Sequence, residues 1–248
     1  MIVEKSMNRS YLSNTYLVGD RPGGRAVVID TGGPISPILD KIEENRLELT
    51  HVLCTHHHVD HVAHNAEYKQ RFGCPVCAHR DEAAYLRDVD RILLDGDEID
   101  SGELRIQALH VPGHTQGQLA FLVNEEKVFT GDTLFRHTVG GTRGPGASGF
   151  EDLQHSIMEV LMRLPQETVV YPGHMDETTV GEEWEHNPFI RVWRGLDSPA
   201  EQRCTAAGRQ ATLLLEAGDY DGGTKCWVRF DEDERLAVVG GSQVRVVG

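Results

Sequence analysis

Four short groups of histidine and aspartate residues constrain this chain most, because each follows directly from a predicted strand. The first group reads T-H-H-H-V-D-H over residues 55–61 and lies between a predicted buried strand and a predicted helix. Alternate side chains of extended backbone project on the same side, so His56 and His58 suit one metal ion. Asp60 and His61 follow the bend and can turn toward a second ion. The remaining groups contain His114, Asp132 and His174.

The segments between these groups predict a mixed α/β chain. Apolar residues at helical spacing over 34–48 predict a helix, and the Pro-Gly-Gly turn between 16–18 and 26–29 predicts a hairpin. Further strands are predicted at 51–55, 75–78, 104–109, 118–123, 127–130 and 168–171, and further helices at 62–72, 81–86 and 150–164.

The last fifty residues change character, so we expect residues 1–199 to form the main domain and residues 200–248 to form a small appendage. Ser198–Glu201 has the spacing of a capping box, which predicts a helix running toward Leu215. A small β-meander should follow it. Such a meander cannot bury much surface alone, so it must pack on the main domain or on another subunit, which makes a homodimer one alternative.

Charge and composition exclude several classes of protein. The 248-residue chain has 24 Lys plus Arg against 39 Asp plus Glu, a net charge of −15. That field repels nucleic acid and anionic lipid, so neither a nucleic acid nor a membrane is expected as a partner. No apolar run approaches the ~18 residues of a membrane span, and the charged start does not fit a secretion signal, so a cytoplasmic location is expected. The five scattered cysteines are expected to be free thiols.

The four groups together, H-x-H-x-D-H, G-H-T, G-D and P-G-H, resemble the pattern of the metallo-β-lactamase-fold hydrolases over about residues 10–190. The resemblance implies a four-layer αββα sandwich with the metal site on one edge. It also implies a set of ligands for two divalent ions. His56, His58 and His114 would hold the first ion, Asp60, His61 and His174 the second, and Asp132 would bridge them.

The donor set fits hydrolytic chemistry. Imidazole and carboxylate ligands without thiolates suit zinc, with iron and manganese as alternatives. Water between two cations ionises near neutral pH, so a metal-bound hydroxide is the expected nucleophile toward a carbonyl. Asp60 and Asp132 are the expected catalytic carboxylates, because they offset the charge of the cations. A separate histidine base is then unnecessary.

The segments around Asp132 and His174, G-D-T-L-F and Y-P-G-H, look like those of the small glyoxalase II-like thioester hydrolases. This resemblance implies a small-molecule thioester of the hydroxyacyl-thiol type as substrate. The sequence departs from the pattern at Ala63-His64, where a glycine pair is usual, and at residues 136–140. No Lys, Arg and Tyr constellation corresponds to a glutathione site, so the acyl group is better supported than the thiol carrier.

Other activities of the same fold stay open. Persulfide dioxygenases resemble glyoxalase II and use one iron held by the counterparts of His56, His114 and Asp132. A lactonase would use the same metal chemistry as a thioester hydrolase. A nuclease is disfavoured by the negative charge and by the lack of room for an inserted RNA-binding domain. A purely metal-binding protein would be expected to close the coordination sphere.

A few residues near these groups have a weaker claim to function. His57 alternates with two expected ligands and should point the opposite way, which favours a structural role. Arg136, His137 and Arg143 lie in or near a Gly-rich loop, residues 140–149, where they could bind a carboxylate of the substrate. An ordinary solvated loop explains these cations equally well.

Overall fold

The computed structural model of the chain describes residues 1–247, and Gly248, the last residue of the expected appendage, lies outside the described residues. The strands are β1 Ile2–Met7, β2 Asn14–Gly19, β3 Arg25–Ile29, β4 Glu48–Leu53, β5 Val76–His79, β6 Arg91–Leu93, β7 Glu98–Ser101, β8 Leu104–His110, β9 Leu119–Val123, β10 Lys127–Gly131, β11 Leu134–Phe135, β12 Thr138–Val139, β13 Val169–Pro172, β14 Thr178–Thr179, β15 Gln202–Ala206, β16 Arg209–Gly218, β17 Thr224–Phe230, β18 Leu236–Gly240 and β19 Val244–Val246.

The helices are α1 Ile35–Glu44, α2 Val59–Val62, α3 Asn65–Phe72, α4 Arg80–Ala83, α5 Phe150–His155, α6 Val180–His186 and α7 Pro188–Trp193. A π-helical segment, Ser156–Val160, continues α5, and 3-10 turns occur at Leu161–Arg163 and Gly241–Gln243. Within residues 1–247, no helix has the length and apolar character needed to cross a membrane.

The chain divides into two compact units. The first contains Met1–His110, Gly117–Gly131 and Tyr171–Met175. The second contains Val111–Gln116, Asp132–Val170 and residues 176–247. Each unit therefore combines segments that are distant in the sequence.

The first unit is built around two sheets. One has the order β1-β2-β3-β4-β5-β6, antiparallel from β1 to β3 and parallel from β3 to β6. Four strands of the other lie in this unit in the antiparallel order β10-β9-β8-β7. Tyr16 and Ile29 of the first sheet share a buried cluster with Phe121 and Phe129 of the second, so the two sheets pack face to face.

The other face of the first sheet is covered by α1 and α3. Leu17 and Val28 alternate with the inward residues of β2 and β3, as the period of two in a strand requires. Ile38 and Ile42 of α1 and Tyr68 of α3 pack on them. Both faces of this sheet are therefore buried, which explains why β2 contains no exposed position.

The second unit contains α5, α6, α7 and a separate sheet of the order β18-β17-β16-β15-β19, here called the C-terminal sheet. Cys204, Leu213, Val228 and Val239 belong to its core. This sheet corrects one expectation: the helix predicted from Ser198 toward Leu215 does not form. Cys204, Ala206, Ala211 and Leu213 are buried at alternate positions, a period of two that pairs β15 with β16.

The C-terminal sheet packs on residues of its own chain, the first of the two alternatives that the sequence left open. The Trp227 ring stacks on that of Phe150 in α5, with centroids 5.3 Å apart. Thr142 and Val238 are joined by two hydrogen bonds, both 2.9 Å long. The Thr142 N–H donates to the Val238 carbonyl, and the Val238 N–H donates to Thr142 Oγ1. The Gly-rich loop and the C-terminal sheet are thereby joined.

Candidate metal centre

The His-rich loop begins at the carboxyl end of β4, beside the carboxyl end of the parallel strand β3. Asp30 follows β3 directly, and its side chain accepts hydrogen bonds from the Thr55 N–H and the Thr55 Oγ1, both 2.8 Å long. Asp30 and Thr55 are both buried. The first residue of the loop is therefore fixed by a carboxylate from the neighbouring strand.

Asp60, His61 and His174 bring three possible ligand atoms together within the first unit. His61 Nε2 lies 3.3 Å from His174 Nε2 and 3.5 Å from Asp60 Oδ2. The third edge, from His174 Nε2 to Asp60 Oδ2, is 3.7 Å. Ligand atoms about 2.0–2.1 Å from a tetrahedral ion lie roughly 3.3–3.5 Å apart, so the three atoms fit a common divalent ion.

The other ring nitrogens of these histidines contact protein oxygens. His61 Nδ1 lies 3.0 Å from Asp30 Oδ2, and His174 Nδ1 lies 3.0 Å from the Tyr11 carbonyl oxygen. A Nδ1–H that donates to such an oxygen leaves Nε2 as the atom that can bind a metal. The backbone of His174 is held nearby, because the Gly173 N–H donates to the Gly131 carbonyl at 2.8 Å.

His56 and His58 lie in the same loop. His56 is buried, and its Nδ1 is 2.9 Å from Thr55 Oγ1. The His56 ring centroid is 4.6 Å from that of His58 and 4.3 Å from that of His61. The first unit therefore brings together five of the seven residues expected to be ligands: His56, His58, Asp60, His61 and His174.

The two other expected ligands lie together in the second unit. His114 Nε2 is 3.6 Å from Asp132 Oδ2, and His114 Nδ1 is 2.9 Å from the Gly141 carbonyl oxygen. The residue before Asp132 has to be glycine. Gly131 has a φ of +50°, and a Cβ there would lie 2.4 Å from Gln118 Nε2 and 2.6 Å from Thr55 Oγ1.

His57 points away from the ligand group, as its alternation with the neighbouring histidines predicts. Its ring Nδ1 contacts Glu82 Oε2, which also accepts the His57 backbone N–H at 2.9 Å. The Gly117 N–H donates to the other carboxylate oxygen at 2.8 Å. Tyr85 stacks on the His57 ring at 4.3 Å. Buried Glu82 therefore ties the His-rich loop to the start of β9.

Asp30 and Glu82 are functional candidates that sequence reasoning missed. The only signal for Asp30 in the sequence was its place directly after a predicted strand, residues 26–29. Glu82 offered no comparable signal, because it lies within a charged run, Arg80–Asp81–Glu82, that resembles any solvated helix start. Glu82 is held in its buried position by His57 and Gly117, which lie 25 and 35 residues away in the sequence.

The cations expected to bind substrate lie on two different surfaces of the second unit. Arg136 lines a small cavity of about 330 Å³ with Thr178 and Glu182. His137 contacts α6, because its N–H donates to Glu183 Oε2 and its Nε2 lies 2.9 Å from Glu182 Oε1. Arg143 lines another cavity, beside the C-terminal sheet. The structure does not place the three in one cavity.

The chemistry of these groups is that of imidazole and carboxylate. Cys54 precedes the His-rich loop, but burial raises the pKa of its thiol far above the ordinary value, and Asn65 Nδ2 donates to its Sγ at 3.2 Å. A neutral buried thiol is not a metal ligand. All five cysteines are buried and free, as the sequence predicts. The His and Asp donors therefore suit zinc, iron or manganese.

The sequence pattern of the metallo-beta-lactamase superfamily matches residues 10–174. The chain belongs to this superfamily. The matched segment includes every expected ligand and ends at His174. It ends before the C-terminal sheet begins.

Solved and curated relatives agree with this membership. The chain is 34% identical over 185 residues to the hydroxyacylglutathione hydrolase GloC of Haemophilus influenzae, covering 66% of this chain and 87% of that protein. It is similar to the crystal structure of ETHE1 from Myxococcus xanthus, with a TM-score of 0.69, 32% identity and coverage of 81% and 93%. It is also similar to TTHA1623 in a di-iron-bound form, with a TM-score of 0.65, 32% identity and coverage of 75% and 100%.

These relatives confirm the predicted fold class and the resemblance to glyoxalase II-like proteins. The chain is thus an enzyme of the metallo-beta-lactamase superfamily with a His and Asp metal-binding cluster. Its substrate is a small molecule, as the family implies.

Proposed function

We propose that the chain is a dinuclear metal-dependent hydrolase that cleaves a small thioester of the hydroxyacyl-thiol type. The observation that carries this proposal is the convergence of Asp60, His61 and His174, with ligand atoms 3.3–3.7 Å apart. A one-iron enzyme of this fold needs none of these three residues as ligands. A complete second set, with its supporting hydrogen bonds, therefore favours two ions.

The family motifs support a full assignment of ligands. His56, His58 and His114 would hold the first ion, Asp60, His61 and His174 the second, and Asp132 would be shared. The two carboxylates reduce the excess positive charge that two divalent cations and neutral imidazoles would otherwise place in the protein. Removing the shared carboxylate should therefore affect both ions.

When bound, the two ions supply a Lewis acid for the thioester carbonyl and lower the pKa of coordinated water, so no side chain has to act as general base. The residues of the chain position these ions. Asp30, the Tyr11 carbonyl and the Gly141 carbonyl each contact the Nδ1 of a ligand histidine. These contacts orient the rings before any substrate arrives, which reduces the reorganisation that catalysis requires.

The relatives support the proposed thioester substrate more strongly than they support any one metal. The similarity to GloC, a hydroxyacylglutathione hydrolase, favours a hydroxyacyl thioester. We expect zinc as the metal because the donors are imidazole and carboxylate. Iron is the first alternative, since TTHA1623 has a di-iron-bound form.

The test is thiol release from a hydroxyacylglutathione thioester by the metal-loaded protein. His174→Ala removes one ligand of the second set and should lower the rate by about 100-fold or more. His155→Ala is the matched control, because His155 is an exposed residue of α5. The control should retain full activity. Equal rates for wild type and His174→Ala would contradict the proposed role of the second ion.

A persulfide dioxygenase is the second candidate, favoured by the similarity to ETHE1 of Myxococcus xanthus. Such an enzyme would consume oxygen with glutathione persulfide and would need one iron on His56, His114 and Asp132. Oxygen uptake that His174→Ala leaves unchanged, without thioester cleavage, would establish this activity and exclude the hydrolase.

A further inference from the structure

The second unit contains a large cavity that none of the expected metal ligands lines. It is a cavity of about 600 Å³ between the Gly-rich loop and the C-terminal sheet. Small-molecule sites commonly measure about 300–1,000 Å³, so the cavity has the size for a metabolite. Its lining includes Arg143, Ser148, Glu151, Arg209, Phe230 and Arg235.

The charge of this lining is opposite to that of the chain. Three arginines face the cavity against one glutamate, although the chain has a net charge of −15. Arg209 is already engaged, because its Nη2 lies 2.9 Å from Glu232 Oε2 and 3.1 Å from Asp233 Oδ2. Arg235 makes a weaker ion pair, because its Nε is 3.7 Å from Asp233 Oδ2 and its side chain is 81% exposed.

Arg143 has its hydrogen-bond donors available. Its guanidinium carbon lies 4.9 Å from the Phe230 ring centroid, a cation–π contact that restrains the side chain without using its N–H groups. Among residues 1–247, no hydrogen bond or ion pair involves this guanidinium. A planar group with five donors matches the two oxygens of a carboxylate or a phosphate.

The backbone beside Arg143 is fixed on both sides of the cavity. The neighbouring residue, Thr142, is joined to Val238 by two hydrogen bonds. Phe150, at the far end of the same loop, stacks on Trp227. A guanidinium anchored at its backbone and restrained at its tip loses little freedom when it binds an anion.

We propose that this cavity binds a small organic anion bearing a carboxylate or a phosphate. Arg143 makes the bidentate contact, and Arg235 supplies the second positive charge. Five of the twelve lining residues come from the C-terminal sheet and its turns, which lie beyond the segment matched by the superfamily pattern. None of the proposed metal ligands lines this cavity, and anion binding there does not depend on the thioester hydrolase proposal.

The test is isothermal titration calorimetry of the metal-loaded full chain with two probes, glycerol 3-phosphate and succinate, and with glycerol as an uncharged control. At least one anionic probe should bind, and the tighter one identifies the class of oxyanion. Arg143→Ala should weaken binding by about tenfold or more, and Arg143→Lys by less, because lysine keeps the charge but loses the bidentate geometry.

Arg203→Ala is the matched control, since Arg203 is exposed on the same sheet and does not line the cavity. It should leave the affinity unchanged. Two outcomes would overturn the proposal: neither anion binds, or Arg143→Ala and Arg203→Ala weaken binding equally, which would indicate only a general charge effect. Thioester cleavage is not measured, so the result is independent of the proposed activity.

Discussion

At the scale of single residues, the surroundings of Nε2 distinguish the histidines of the ligand groups from their neighbour His57. His61 Nε2 and His174 Nε2 lie 3.3 Å apart, and His114 Nε2 lies 3.6 Å from Asp132 Oδ2, while the Nδ1 of each of these three rings contacts a carboxylate or carbonyl oxygen. Each of these rings therefore has Nε2 available as a ligand atom. His57 lies between two of the expected ligands in sequence, yet its ring contacts Glu82.

Alanine substitutions at His57 and His58 should therefore have very different effects. His58→Ala removes a proposed ligand, and we expect about 100-fold or more loss of thioester cleavage. His57→Ala removes a partner of the buried Glu82 carboxylate and should cost about 1–3 kcal/mol of stability, with less than about tenfold loss of activity. Steady-state kinetics and urea unfolding of both variants test this. Similar kinetic losses in the two would contradict the ligand assignment.

The sequence motifs predicted that Asp60, His61 and His174 lie together, because the three match the ligand pattern of the metallo-β-lactamase fold. The residues that support them were not predicted. Asp30 reaches His61 only because β3 and β4 are adjacent and parallel. That pairing depends on the whole sheet, and no spacing within the sequence encodes it.

At the scale of elements, the short helix α4 depends on a histidine cap. His79 Nδ1 accepts a hydrogen bond from the Asp81 N–H at 3.2 Å, and α4 carries Glu82. Burial, and then the positive charge of His110, lowers the pKa of His79 below its ordinary value. The two rings stack with centroids 4.5 Å apart. Protonated His79 could not accept the capping hydrogen bond.

This arrangement predicts a loss of stability on the acid side. Because the pKa of His79 is lower in the folded protein, the unfolded chain binds the proton first as pH falls below about 6.5. His79→Asn keeps a capping acceptor but does not titrate. Between about pH 7.5 and pH 5.5, wild type should lose about 1 kcal/mol more unfolding free energy than the variant. Urea unfolding at both pH values measures it, and equal losses would show that His79 does not contribute.

The expected helix from Ser198 shows why local signals fail in this region. A capping box is a pattern of four residues, and it predicts a helix only when the following residues have helical periodicity. Here β15 pairs with β16 and with β19, which lies some forty residues further along the chain. These distant pairings outweigh the local preference, and β6, with three residues, was too short to be predicted.

At the scale of the whole molecule, an aromatic cluster attaches the C-terminal sheet to the helices of the second unit. Trp227 stacks on Phe150, and Trp193 packs edge-on against both rings at 5.7 and 6.5 Å. Thr142 and Val238 add main-chain pairing.

Three expectations at this scale stay predictions. They are the domain boundary between residues 199 and 200, the homodimer and the cytoplasmic location.

Removing this cluster should destabilise the second unit. Trp227→Ala deletes a half-buried ring, and we expect a loss of about 2–4 kcal/mol in unfolding free energy. Trp227→Phe keeps a stacked ring and should lose less than about 1.5 kcal/mol. Denaturant unfolding of both variants measures the difference. An alanine variant as stable as wild type would show that the sheet is held by other contacts.

The central claim is that two metal ions share one site, and metal content per chain tests it most directly. Elemental analysis of protein purified without added metal should give close to two ions per chain for wild type. Because His174 is proposed to hold only the second ion and Asp132 to hold both, His174→Ala should retain about one ion, and Asp132→Ala should retain less than that. A single iron per chain in wild type, unchanged in His174→Ala, would contradict the account.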